Sequence, residues 1–181
     1  MARPAVPHPV LETDRLRLRQ FRPEDAEALH PAFCDAATMR WWNTPPHEKR
    51  IDTDRVVQRC IDCTPAYYRF WAVADRDTDL CIGLANYHDG HIRNRRASIG
   101  YLLVPGRQGQ GLAREAVAAM IEHCTTVLKL HRLEAYIHPD NAASIGLATR
   151  LGFTAEGRLR DHLRVGEEWR DNLLLARIAA A

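Results

Sequence analysis

Polar and apolar residues alternate strictly over Arg15-Leu16-Arg17-Leu18-Arg19. That period of two predicts a first strand with Leu16 and Leu18 facing a core and the arginines facing solvent. Pro23-Glu24-Asp25 then opens a helix, its acids lying where the helix dipole favours them. A second helical stretch runs from Asp52 to Cys63, with Pro65 after its end. Tyr68 to Ala74 and Leu80 to Tyr87 read as strands joined by the acidic turn Asp75 to Asp79. His88 to Arg96 reads as a polar, solvated loop.

The second half is more sharply patterned. Ser98 to Val104 is a strand ended by Pro105. Beyond the glycines at 106, 109 and 111, apolar residues fall at Ala113, Val117, Met120, Ile121, Cys124 and Leu128, the spacing of a helix with one buried stripe. Arg132 to His138 alternates again, placing Glu134, Tyr136 and His138 on one strand face and Leu133, Ala135 and Ile137 on the other. Asp140 or Asn141 caps a further helix that ends at Gly152, with Phe153 as its hydrophobic partner.

With 181 residues and 46% hydrophobic content, the chain suffices for one domain with a real core. A net charge of +2 gives no electrostatic case for nucleic acid or an anionic membrane. The proline-rich N-terminus has no apolar run of signal-peptide type, and no stretch approaches a membrane span. Of the five cysteines only Cys60 and Cys63 form a C-x-x-C, which lacks further ligands for zinc. A reducing cytoplasm, and no metal, is the expectation.

Strand, glycine turn and helix together make an anion site, because glycines leave amides bare at the positive end of a helix dipole. A P-loop needs Lys and Ser or Thr after its last glycine, where Leu112 and Ala113 stand. A dinucleotide-binding turn needs a third glycine where Arg114 stands. Gln108-Gly109-Gln110-Gly111-Leu112-Ala113, read as Q-x-x-G-x-A, resembles instead the acyl-CoA diphosphate loop of the GNAT superfamily of N-acyltransferases. Asn141-Ala142-Ala143-Ser144, closed by Gly152-Phe153, is similar to the second acyl-CoA motif of that superfamily. Glu156-Gly157-Arg158-Leu159-Arg160 and Trp169-Arg170-Asp171 resemble the closing hairpin of its ribosomal-protein N-terminal (RimJ/RimL-like) branch. Gln108 stands where an aromatic residue is frequent in that branch.

The resemblance implies a single α/β domain over residues 13–178, preceded by an irregular lead-in over 1–12. It implies a mixed, mostly antiparallel sheet of six or seven strands, helices on both faces, and one parallel pair that splays apart. Acetyl-CoA is the implied co-substrate, held by Leu103, Val104, Gln108, Gly109, Gln110, Gly111, Leu112, Ala113 and Arg114, with Asn141 and Ser144 at the thioester. Ser144, oriented by Asn141, is the expected proton donor to the leaving thiol, and Tyr136 a weaker one. Glu134 is the positional choice for the base, with Asp161 and His162 as rivals. Of Trp41 and Trp42, one packs into the core and the other lines a groove for substrate. The implied acceptor is a primary amine, a protein N-terminus or a small molecule such as a polyamine, amino acid or antibiotic, on a monomer or homodimer. A non-catalytic acyl-CoA-binding module is the other class that fits.

Overall fold

The computed structural model describes residues 8–63 and 67–179, so Pro65 and most of the N-terminal lead-in lie outside the description. The chain runs through β1 (Leu11–Glu12), β2 (Leu16–Arg19), α1 (Asp25–Cys34), α2 (Ala36–Met39), α3 (Arg50–Ile61), β3 (Arg69–Asp75) and β4 (Cys81–His91). It continues through β5 (Arg96–Leu103), a 3-10 turn (Pro105–Arg107), α4 (Leu112–Thr126), β6 (Arg132–Ile137), α5 (Ala142–Arg150), β7 (Thr154–Val165) and β8 (Glu168–Ile178).

Among the described residues the strands form one sheet of eight in the order β1-β2-β3-β4-β5-β6-β8-β7. Every pairing is antiparallel except β5 with β6. Eight strands exceed the expected six or seven. One addition is Leu11–Glu12, which pairs with β2 inside the stretch expected to be irregular.

Two cores sit on opposite sheet faces. On one, α4 and α5 cover Ile99, Leu103, Leu133, Ala135 and Ile137, and the buried stripe of α4 includes Val117, Met120, Ile121 and Cys124. On the other, α1 and α3 cover Ala72, Leu84 and Leu102. Leu128, placed on that stripe by periodicity, lies past the end of α4 and is exposed.

Two local expectations are corrected. Arg19, expected to face solvent, is 5% exposed, because Asp25 takes its guanidinium bidentately at 2.8 Å and Asp79 takes its Nε at 3.0 Å. The polar loop expected over His88 to Arg96 is largely strand, since β4 runs on to His91 and pairs with Arg96 across a register shift. Polar side chains on a sheet rim do not stop the backbone from pairing.

Candidate active site

The site begins where the parallel pair ends. β5 and β6 pair at Arg96 with Arg132, Ala97 with Leu133 and Ser98 with Glu134, and no further. Both strands go on, to Leu103 and to Ile137, so they fork. On its other edge β5 stays paired with β4 as far as Leu103 opposite Gly83.

Antiparallel alternation decides which backbone groups the fork exposes. The Val104 N–H donates to the Ile82 carbonyl at 2.9 Å, so Val104, Leu102 and Gly100 turn their backbone groups toward β4. Those of Tyr101 and Leu103 turn toward the opening. Of the two residues expected to meet the pantetheine arm, Leu103 therefore offers its amide to the gap, whereas the Val104 amide is already engaged.

At the open end of the fork stands the glycine turn. Gly109 and Gly111 have φ of +75° and +78°, the left-handed region that penalises a side chain, and Gly111 caps α4. Among the described residues, no backbone acceptor meets the amides of Gly109, Gln110, Gly111, Leu112, Ala113 or Arg114; the first paired amide is that of Glu115, to the Gly111 carbonyl. Such a run of bare donors at a helix start fits a diphosphate. The exposed Gln108 instead folds back over the turn, donating from Nε2 to the Leu103 carbonyl at 2.9 Å and to Thr38 Oγ1 at 3.3 Å. Gln110 donates back to the Gly106 carbonyl at 3.0 Å. These side chains stiffen the turn. Arg15 anchors it from outside, donating to the Gln110 carbonyl and pairing with Glu115.

Across the fork lies the start of α5. Asn141 is its cap, its Oδ1 accepting from the Ser144 N–H at 3.1 Å, which sets the first turn and the Ser144 side chain. Ser144 is half-buried. Close by is Tyr101, which reading of the sequence had not singled out. Its hydroxyl is buried and, among the described residues, no group meets it at hydrogen-bond geometry. Burial pushes its pKa up, and the neighbouring Ser144 side chain offsets part of that rise.

Glu134 sits at the crotch of the fork and is 5% exposed. Arg96 reaches it at 2.9 Å, Arg132 at 2.6 Å and the Tyr136 hydroxyl donates to it at 3.1 Å. Burial alone would raise its pKa, but the bonds from Arg132 and Tyr136 and the two guanidinium charges hold it below the ordinary carboxylate range. A carboxylate so held is a tie between strands and a poor proton acceptor.

On the sheet face opposite α4 and α5 lie the other candidate residues. Tyr136 stacks on His162 at 5.0 Å between centroids, and Asn172 holds the His162 ring through Nδ1 at 3.1 Å. Trp41 lies against His138 at 5.2 Å, with the Arg40 guanidinium over its other side at 4.6 Å. The β8 residue Arg170 donates to the Arg40 carbonyl at 2.9 Å, tying this segment to the closing hairpin. Trp42 instead packs on the core beneath α1 and α3. Asp161, a rival base, is exposed in the bulge of β7. The structure thus gathers Leu103, Ser144, Asn141 and the glycine turn around one opening, with Trp41 on the other face and Trp42 apart from it. Among the described residues no cluster of His, Cys, Asp or Glu is arranged to hold a metal, and no helix is long and apolar enough to cross a membrane.

Residues 15–154 match the model of a family described as the acetyltransferase (GNAT) domain. An uncharacterised N-acetyltransferase of Bacillus subtilis, YoaA, is 32% identical over 86% of this chain and 88% of its own length. The ribosomal protein uS5-alanine N-acetyltransferase of Escherichia coli is 34% identical over 94% of this chain and 91% of its own. The spermidine N(1)-acetyltransferase of the same organism is 26% identical over 86% and 82%. A solved structure of RimL, a ribosomal L7/L12 α-N-protein acetyltransferase in complex with coenzyme A, superposes with a TM-score of 0.82 at 24% identity, covering 94% of this chain and 98% of the other.

Proposed function

The chain belongs to the GNAT acetyltransferase family, and on that premise we propose that it moves an acetyl group from acetyl-CoA to the α-amine of a protein or peptide N-terminus. The observation that carries the reading is the fork beyond Ser98 and Glu134, bounded by bare amides at one end and by Ser144 at the other.

Bound there, acetyl-CoA supplies an activated acyl group; the chain supplies everything else. The amides of Gly109 to Arg114 hold the diphosphate. The Leu103 amide faces the opening and stabilises negative charge developing on the acyl oxygen, a contribution of roughly 3 kcal/mol for one preorganised donor. Ser144 donates a hydrogen bond to the sulfur that receives the electron pair of the breaking C–S bond, and the proton lost by the amine reaches that sulfur through water.

The state of Glu134 favours an α-amine. With its carboxylate committed to Arg96 and Arg132, Glu134 is a weak base. An α-amine of pKa near ~8 keeps an appreciable neutral fraction near neutral pH and can lose its proton to water, whereas an alkylamine near ~10.4 is almost wholly protonated and needs more help. A polycation would also look for unpaired carboxylates, and this one is neutralised. The resemblance of the closing hairpin to the ribosomal-protein branch, and the uS5-alanine enzyme among the relatives, point the same way.

Thiol release from acetyl-CoA, measured against peptides beginning with alanine or serine, their N-blocked forms, and spermidine, tests the proposal. Turnover of the free peptides alone is expected. Preferred turnover of spermidine would replace it with a small-amine acetyltransferase, and acetyl-CoA binding without turnover of any amine would replace it with a binding module.

A further inference from the structure

On the side of the fork away from the acceptor groove, one polar atom is unexplained. Tyr101 stands on β5 three residues past the last β5–β6 pair, and its side chain packs against the core under α4 and α5. A hydroxyl buried without a partner is destabilising, a penalty that phenylalanine at the same place would avoid. The hydroxyl beside it belongs to Ser144, whose N–H is fixed by Asn141 and whose Oγ is the proposed donor to sulfur.

We propose that Tyr101 is a positioning residue that acts through Ser144: its O–H donates to Ser144 Oγ once Ser144 turns its own hydrogen toward the thioester sulfur. The inference rests on the reading of Ser144 given above and adds a second hydroxyl behind it. A serine that accepts one hydrogen bond while donating another is a stronger donor, because linked hydrogen bonds polarise one another. No proton leaves Tyr101 in this arrangement. The Ser144 O–H hydrogen-bonds the sulfur as the C–S electron pair arrives there and keeps its proton, the tyrosine hydrogen bond strengthens that donor, and the departing thiolate takes up, through water, the proton the amine releases. Burial suits Tyr101 to this, since a raised pKa keeps it in the protonated, donating form.

Tyr101→Phe, Ser144→Ala and the double variant decide it, with an alanine-initiated peptide and acetyl-CoA as substrates. Tyr101→Phe is expected to lower kcat ~3–10-fold with KM for acetyl-CoA unchanged, one hydrogen bond's worth of transition-state stabilisation. Ser144→Ala is expected to cost more, and the double variant no more than Ser144→Ala alone, because the tyrosine has lost the group it acts through. A second readout needs no turnover. With tyrosine labelled at the ζ-carbon, the NMR signal that Tyr101→Phe removes is expected to move in Ser144→Ala, both in the free protein and with coenzyme A bound. Additive losses in kcat, an unchanged kcat in Tyr101→Phe, or a Tyr101 signal indifferent to Ser144→Ala would overturn the relay. An unchanged kcat in Ser144→Ala would instead overturn the hydrogen-bond donor role of Ser144 itself.

Discussion

At the scale of single residues, partners decide what a side chain does. Glu134 lies on the strand face the alternation predicts, yet two guanidinium groups and a tyrosine hydroxyl commit it to structure. Glu134→Gln removes a charged hydrogen-bond acceptor between β5 and β6 and is expected to cost about 2 kcal/mol in a denaturant titration, with kcat changed less than the stability. Trp41 is the reverse case. Its half-buried ring is held between His138 and Arg40, and in the proposed function it is the rigid surface that meets the acceptor. Trp41→Ala should raise KM for a peptide acceptor about tenfold or more while leaving acetyl-CoA affinity, read by calorimetry, unaltered.

At the scale of elements, the strand-turn-helix unit from β5 to α4 is the proposed co-substrate site. Gly111 shows why glycine is required. A Cβ there would lie 3.6 Å from an Arg15 nitrogen, so space is not the obstacle; the φ of +78° is. Gly111→Ala should destabilise by about 1–2 kcal/mol and weaken acetyl-CoA binding by more than its effect on folding explains, since the amides it orients lose their alignment. The fork makes a prediction of its own. Backbone groups of Tyr101 and Leu103 on the open edge have no partner strand, so their amides should exchange with solvent faster than those of Leu102 and Val104. Acetyl-CoA should slow them selectively, and equal protection along the strand would contradict the backbone geometry. This unit was largely legible in advance, because glycine, proline and the apolar stripe of a helix are local signals. Where β6 parts from β5 was not, because no residue along either strand marks a loss of pairing.

At the scale of the whole molecule, ion pairs link segments far apart in sequence. Glu115 on α4 holds Thr13 and Arg15 near the N-terminus. Asp79 holds Arg19 and Arg22 across the β3–β4 turn, and Glu134 ties β6 to β5. Burial would raise the pKa of each of these carboxyls, but their hydrogen bonds and neighbouring arginines outweigh it and hold the folded values low. Stability from them is present above the ordinary carboxylate pKa of about 4 and lost as pH falls through the lower folded values. The melting temperature should therefore hold from neutrality to about pH 5 and fall below it, with Glu115→Gln flattening part of the fall. An acid limb unchanged by that substitution would show that the N-terminal segment is held otherwise.

Local chemistry in the chain was enough to determine the order of most strands and helices, the glycine turn, the Asn141 cap and the family to which these motifs belong, because each depends on residues within a few positions of one another. The rim of β4, the burial of Arg19, the tethering of Glu134 and the meeting of Tyr101 with Ser144 were decided only by the tertiary structure. Each depends on which groups from distant parts of the chain arrive at one place. A hydroxyl or a carboxylate acquires its role from the charges and dipoles around it, and the sheet that assembles those neighbours is a long-range product of folding.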